Sequence, residues 1–157
     1  QWQRDRITAF VTDLHVSLPD ECTLSAAVWP YTTDKWGWGV SEGYHDYYQD
    51  SRGWLATGAV NAIAPMLYGG YADELSRWQQ LTADFLADAD NSANGSGHIL
   101  PGIGTYGTTF DPIADRIAAA RVLGAPGYAL FSYSALDHAN AWSHLAQVNA
   151  SSTIGGD

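Results

Sequence analysis

A chain of 157 residues is long enough for one domain with an apolar core, and 46% hydrophobic with 15% charged residues marks it as globular rather than disordered. The formal net charge of −10, with Lys35 the only lysine, argues against a nucleic-acid or anionic-membrane partner, because neutralising phosphates needs clustered Lys and Arg. No apolar run approaches the roughly 20 residues of a membrane span, and the single cysteine, Cys22, excludes an internal disulfide and a cysteine-based metal site.

In chain order, Ile7, Phe10, Val11, Leu14 and Leu18 recur at helical spacing with charges between them, which predicts an amphipathic helix over residues 3–18, ended by Pro19. Residues 23–28 form a short uncharged run suited to a strand buried on both faces, and the run stops at Trp29-Pro30. A long loop follows to Tyr44. Tyr47, Ser51, Trp54 and Leu55 share a helical face, and Gly58 supplies a left-handed cap. Residues 60–67 read as a second buried strand. Leu75, Trp78, Leu81 and Phe85 mark a third helix, which leads into a flexible turn at residues 91–97. Residues 99–103 are the third strand. Asp111 caps and Pro112 opens a helix with Ile113, Ile117, Ala120 and Leu123 on its apolar face, closed by Gly124. Residues 127–132 make the fourth strand, and a last helix over 137–149 turns Trp142, Leu145 and Val148 inward.

Alternating buried strands and amphipathic helices require a parallel sheet with right-handed crossovers, either open and doubly wound or closed as a barrel. A nucleotide-binding open sheet needs a glycine-rich phosphate loop. The nearest candidate, residues 102–107, lacks the GxGxxG spacing and reads as a structural glycine turn. The strand ends are instead aromatic: Trp29 after the first, Tyr68 after the second, Tyr106 after the third and Tyr133 after the fourth, with Trp36, Trp38 and Tyr44 in the long first loop. Rings with polar edges stack on the apolar faces of pyranoses, which makes these seven the candidate lining of a saccharide cleft. Trp54, Trp78 and Trp142 lie on helical apolar faces and are expected in the core.

Glycoside hydrolysis needs two carboxyl groups flanking the scissile bond. Carboxylates are scarce at the strand ends: Glu42, Asp46 and Asp50 follow the first strand, Asp73 and Glu74 the second, Asp111 the third and Asp137 the fourth. Most stand where helices begin, where an acid caps free amides. Asp50 is the one catalytic candidate, and a weak one. His45, His98 and His138 share no ligand spacing, so neither a metal nor another cofactor is expected, and Ser132 lacks the GxSxG elbow of a serine hydrolase.

Six segments carry a family likeness: residues 2–7 (Trp-Gln-Arg-Asp-Arg-Ile), 24–30 (Leu-Ser-Ala-Ala-Val-Trp-Pro), 48–55 with Gly58, 64–68 (Ala-Pro-Met-Leu-Tyr), 102–106 (Gly-Ile-Gly-Thr-Tyr) and 127–133 (Gly-Tyr-Ala-Leu-Phe-Ser-Tyr). Together and in this order the chain resembles the C-terminal half of the catalytic barrel of glycosyl-hydrolase-like family 10, bacterial glycosidases acting on cell-wall or other complex polysaccharides. The resemblance covers nearly the whole chain. It implies an α/β fold: half of a TIM (β/α)8 barrel, with four parallel strands each followed by a helix and one extra N-terminal helix, over residues 1–150, then a polar tail at 151–157.

The family's paired acids, in a pattern like Phe-Asp-Asp-Tyr, precede the segment matched at residue 2, so this half is expected to supply mainly substrate-binding subsites. Asp50 matches a family Asp, and Tyr68, Tyr106 and Tyr133 match family tyrosines, whereas Asn61 replaces an acidic residue. The implied partners are an oligosaccharide or polysaccharide and the N-terminal half of the barrel, or another chain completing it; the implied compartment is secreted or cell-envelope. The alternative is a non-catalytic glycan-binding barrel, or a half-barrel that assembles with another chain. A half-barrel leaves strand edges and apolar surface open, so the isolated chain is expected to aggregate or assemble.

Overall fold

The computed structural model of the protein describes residues 1–89, 98–138 and 140–150. The expected turn at 91–97 and the tail at 151–157 lie outside the described residues. Among the described residues the fold is mixed α/β, with six α-helices and small parallel sheets: α1 (Trp2–Ser17), β1 (Ser25–Val28), α2 (Ser51–Thr57), β2 (Ala62–Pro65), a 3-10 turn (Gly70–Asp73), α3 (Leu75–Ala89), β3 (His98–Ile99), β4 (Gly102–Gly104), α4 (Asp111–Val122), β5 (Ala129–Phe131), α5 (Tyr133–His138) and α6 (Trp142–Ala150).

The strand pairs among the described residues are parallel and follow chain order, β1-β2-β3 in one sheet and β4-β5 in a second. The expected third strand, 99–103, is two short strands because Pro101 has no amide to donate to a ladder. On one side of the break, Leu100 N still donates to Ile63 O at 3.0 Å; on the other, Pro101 O accepts from Ala129 N at 3.1 Å. The chain therefore passes its pairing from β2 to β5 across the proline.

Laterally paired residues share a face of a sheet. The register aligns Ala26 with Ile63, Val28 with Pro65 and Ile63 with Ile99 on one face, where Val28, Ile63 and Ile99 are fully buried beneath the helices. The other face carries Ser25, Ala27, Ala62, Ala64 and His98, of which Ser25, Ala27 and His98 are exposed. Helices α2, α3 and α4 pack on β2, β3 and β4, and adjacent helices touch in sequence order, α1 on α2, α2 on α3, α3 on α4 and α4 on α6.

Local signals explain the helix ends. Gly58 takes a left-handed φ of 72°, and its amide donates to Leu55 O, closing α2 where a side chain would be strained. Asp111 is the first residue of α4 rather than its cap: Phe110 holds the cap position and no side chain caps the helix, while Pro112 stands in the first turn where its missing amide costs nothing. The expected last helix is two helices, because Asn140 turns with φ 49° between α5 and α6.

The core gathers Trp54, Leu55, Leu67, Trp78, Leu81, Phe85, Ile103, Ile113 and Ile117 between helices and strands. Both buried indoles have hydrogen-bond partners: Trp78 Nε1 donates to Gly102 O at 3.0 Å and Trp54 Nε1 to Thr8 Oγ1 at 2.9 Å. Trp142, expected inside, is 38% exposed. It opens α6 at the surface, where its ring lies 5.0 Å from that of Tyr133 and its Nε1 donates to Asp137.

Helix α1 departs from the simple amphipathic expectation. The face it turns to the protein is mixed rather than apolar: beside Ile7 and Val11, Arg4 is buried, with Nη1 donating to Tyr44 O at 2.9 Å, Thr8 receives the Trp54 indole, and His15 Nδ1 lies 2.9 Å from Gly58 O. Ile7 and Val11 are half-buried against the core, as expected, whereas Phe10, 66% exposed, and Leu14 face outward.

Candidate functional site

The aromatic residues expected to line one cleft fall into three groups. The first stands at the C-terminal ends of the strands. Past β2, Tyr68 stacks on Phe131 with ring centroids 5.3 Å apart and planes 6° from parallel. Tyr106, past β4, meets both edge-on, at 6.2 Å from Tyr68 and 6.3 Å from Phe131. These are the distances at which aromatic pairs attract beyond their buried area. Phe131 and Tyr106 nevertheless remain 54% and 53% exposed, so ring surface stays open to solvent.

Backbone spacing makes room for this cluster. A Cβ on Gly102 would lie 2.4 Å from Pro65 O, and one on Gly104 would lie 2.9 Å from Tyr68 Cβ. The glycine-rich run at 102–107 is therefore a place where β4 approaches the end of β2 closely. Thr105, buried, fixes the far side: its amide donates to Phe131 O at 2.8 Å and its hydroxyl to Ser132 O at 3.0 Å.

Two cavities of about 460 Å3 meet at Tyr68, which lines both. One is polar, with Tyr106, Asp73, Arg116 and Thr108 in its wall. The other is apolar, between Trp29, Tyr31, Val40, Met66 and Tyr71. Trp29 is held by its Nε1 donating to Ser41 O at 2.8 Å and by the Tyr47 ring 4.2 Å away. Burial, and after it the neighbouring phenol of Tyr106, pushes the Tyr68 hydroxyl above its ordinary value, so the group stays a neutral donor.

The second group is in the first loop. Trp36 and Trp38 stack on each other at 4.8 Å, and Trp38 packs against Tyr71 at 5.4 Å and Tyr31 at 6.2 Å. The Arg77 guanidinium lies over Trp38 at 5.1 Å and over Tyr71 at 4.5 Å. Asp34 shapes this loop by accepting the amides of Trp38 and Gly39, each at 2.7 Å. Lys35 and Arg52 both pair with Asp84 of α3, which ties the loop and α2 to the helical layer. Neither Trp36 nor Trp38 lines either of the two large cavities.

The third group is separate again. Tyr44 lies beneath Arg4, whose guanidinium carbon is 3.7 Å from the ring centroid. Tyr133, in the first turn of α5, points to Trp142. The ring at the end of the last strand that joins Tyr68 is thus Phe131. Strand β5 stops at Phe131 and the helix has begun by Tyr133, so the chain turns the tyrosine away.

Asp50 caps α2: its Oδ1 accepts the Gly53 amide at 3.1 Å, the geometry by which an N-cap acid satisfies a free helix donor. The carboxylate in the wall of the polar cavity is Asp73, which the sequence places merely at a helix start. Its neighbour Arg116 donates to Pro112 O at 3.1 Å, Ala72 O at 3.3 Å and Asp73 O at 2.5 Å. Desolvation lowers the Arg116 pKa, and the fields of Asp73 and Asp115 oppose that shift. No sequence signal linked Arg116 with Asp73, 43 positions apart. Among the described residues no three His, Cys, Asp or Glu side chains converge as a metal-binding group, and no helix is long and apolar enough to cross a membrane.

No family model matches the chain, and no curated protein matches it.

Proposed function

We propose that this chain is the C-terminal half of a (β/α)8 barrel of the glycosidase kind that its sequence resembles, and that it supplies sugar subsites to a secreted or cell-envelope enzyme acting on a complex polysaccharide. The observation that carries the reading is the cluster of Tyr68, Tyr106 and Phe131 at the C-terminal ends of β2, β4 and β5, with open ring surface beside two cavities of about 460 Å3. In barrels of this class the βα loops at that end build the active site. Cavities of 300–1,000 Å3 lined by aromatic rings and a few polar groups are the ordinary form of a small-ligand site.

The half-barrel part of the proposal draws on three features. The strands pair in parallel and in chain order, the helices neighbour one another in the same order, and the sheet face turned from the helices carries mostly small residues, with Ser25, Ala27 and His98 exposed. Among the described residues β1 pairs only with β2 and β5 only with β4, and Phe10 and Leu14 of α1 lie exposed. Further βα units, on the same polypeptide or another chain, would pair with both edges and cover α1.

A second reading, a barrel that binds glycan without cleaving it, is favoured by one observation: Asp50 is engaged as a helix cap, which leaves Asp73 as the single carboxylate in the wall of the two cavities. One experiment separates the two. The full-length protein is titrated with a panel of oligosaccharides and assayed for release of new reducing ends. The enzyme reading expects binding and cleavage, and the second reading binding alone. Tyr68→Ala should weaken binding several-fold, since a stacking ring contributes on the order of 1 kcal/mol beyond its area. No binding to any glycan, or wild-type affinity in a folded Tyr68→Ala variant, would overturn both.

A further inference from the structure

We infer that Asp73 and Arg116 form the polar wall of one sugar subsite, and that this subsite takes a neutral pyranose through its hydroxyl groups rather than a charged sugar. The inference rests on the glycan-binding reading above and adds to it the class of sugar and the residues that read it.

The polar cavity joins two kinds of surface. The rings of Tyr68 and Tyr106 stand edge-to-face at 6.2 Å and supply apolar wall. Asp73, Arg116 and Thr108 supply donors and acceptors in the same cavity. A pyranose has the matching pair of surfaces, an apolar face of C–H bonds and a rim of hydroxyls that donate and accept.

Asp73 is held for such a role. Its Oδ1 accepts the Gly69 amide at 2.8 Å, which fixes the carboxylate at the cavity wall. A carboxylate has roughly four acceptor positions, and among the described residues its Oδ2 takes no hydrogen bond. Two adjacent sugar hydroxyls can donate to such a group together. Arg116 is positioned by backbone: its three hydrogen bonds go to the carbonyls of Pro112, Ala72 and Asp73, and it forms no ion pair among the described residues. A guanidinium carries five N–H donors in a rigid plane, so donors remain for the oxygen atoms of a ligand once the three carbonyls are served.

The choice of a neutral sugar follows from the charges. An anion placed against Arg116 would also lie in the field of Asp73, which lines the same cavity, and of Asp115, the residue next to Arg116 in sequence. The whole chain carries a formal charge of −10, which repels a polyanion further. Neutral hydroxyls can use donor and acceptor together, whereas a carboxylate gains one and is repelled by the other.

The test titrates the full-length protein with cellohexaose, chitohexaose and hexagalacturonate, and repeats the titrations with Asp73→Asn, Arg116→Gln and Tyr68→Ala. Asp73→Asn keeps an oxygen acceptor for the Gly69 amide, and circular dichroism with a melting curve verifies that the variant is folded. The expected result is binding of a neutral hexasaccharide, weakened roughly tenfold or more by Asp73→Asn and by Arg116→Gln, as for loss of a charge-assisted hydrogen bond, with hexagalacturonate bound more weakly than the neutral ligand. Hexagalacturonate bound more tightly than either neutral sugar, and lost in Arg116→Gln, would overturn the inference in favour of an anion site. Neutral binding that Tyr68→Ala weakens while Asp73→Asn leaves it unchanged would overturn this inference alone and keep the aromatic glycan site. Binding of none of the three would overturn this inference, and silence across the wider oligosaccharide panel would remove the glycan reading as well.

Discussion

Tryptophans and tyrosines serve two ends in this molecule, and the contrast lies in what surrounds each ring. On the helical side of the sheet Trp78 and Trp54 are enclosed, and each indole N–H meets one acceptor, Gly102 O or Thr8 Oγ1. At the strand ends Tyr68, Tyr106 and Phe131 touch mainly one another and leave cavities beside them. A ring closed in on all sides contributes through burial and leaves no surface for a ligand. A ring supported on one face by another ring keeps its orientation and still offers the opposite face. The two groups meet at Gly102, whose carbonyl accepts from Trp78 and whose missing side chain lets Pro65 come close.

The largest effect that would test this division is at Trp78. Trp78→Ala should lower the stability of the full-length protein by about 3–5 kcal/mol, as for other buried aromatic truncations, while affinity per folded molecule stays near wild type. Chemical denaturation and titration of the folded fraction would measure both, and a large loss of affinity at unchanged stability would erase the distinction.

Gly104→Ala probes the junction. The added Cβ would stand 2.9 Å from Tyr68 Cβ, so overpacking should cost about 1–3 kcal/mol and displace the Tyr68 ring, weakening glycan affinity as well. A variant with unchanged melting and binding would mean that β4 moves freely against the end of β2.

A smaller loss, about 1 kcal/mol, is expected for Asp50→Ala, because the Gly53 amide loses its cap. On the enzyme reading, cleavage rate per folded molecule should hold. A fall of several orders of magnitude in that rate with little change in stability would return Asp50 to catalysis.

The sharpest comparison is between two neighbours on the chain. Phe131→Leu should reduce glycan affinity several-fold through loss of the stacked partner of Tyr68, whereas Tyr133→Leu should leave it unchanged, since that ring contacts Trp142. The opposite pattern would restore the tyrosine.

The smallest effect expected is with pH. Burial raises the Tyr68 hydroxyl above the ordinary tyrosine value, so the folded state favours the neutral phenol. Its contribution to stability is present below the unfolded value and is lost as pH rises through the higher folded one. Affinity carried by this hydroxyl should therefore be flat between pH 7 and 9; a titration with a midpoint inside that window would show a different environment.

Much of the secondary structure was written locally in the chain, because backbone constraints act over a few residues. Left-handed Gly58 and Gly124, Pro112 in a first helical turn, and the apolar runs 23–28 and 60–67, within which β1 and β2 form, all act within one turn or one strand. Helical spacing likewise placed Trp54 and Trp78 in the core. The break at Pro101 was also available locally, since a missing amide shows in the sequence.

What only the tertiary structure decided is which distant groups meet. Phe131 rather than Tyr133 joins Tyr68 because β5 ends where it does against β4. Trp38, with Trp36 stacked on it, turns to Tyr71 and Arg77 because Asp34 folds the loop that way. Trp142 stays at the surface because Asn140 redirects the chain between two helices. Asp73 and Arg116 share a cavity because α3 packs on α4. Sequence spacing constrains neighbours along the backbone; strand register and helix packing set contacts between residues tens of positions apart, and the candidate site is made almost wholly of those.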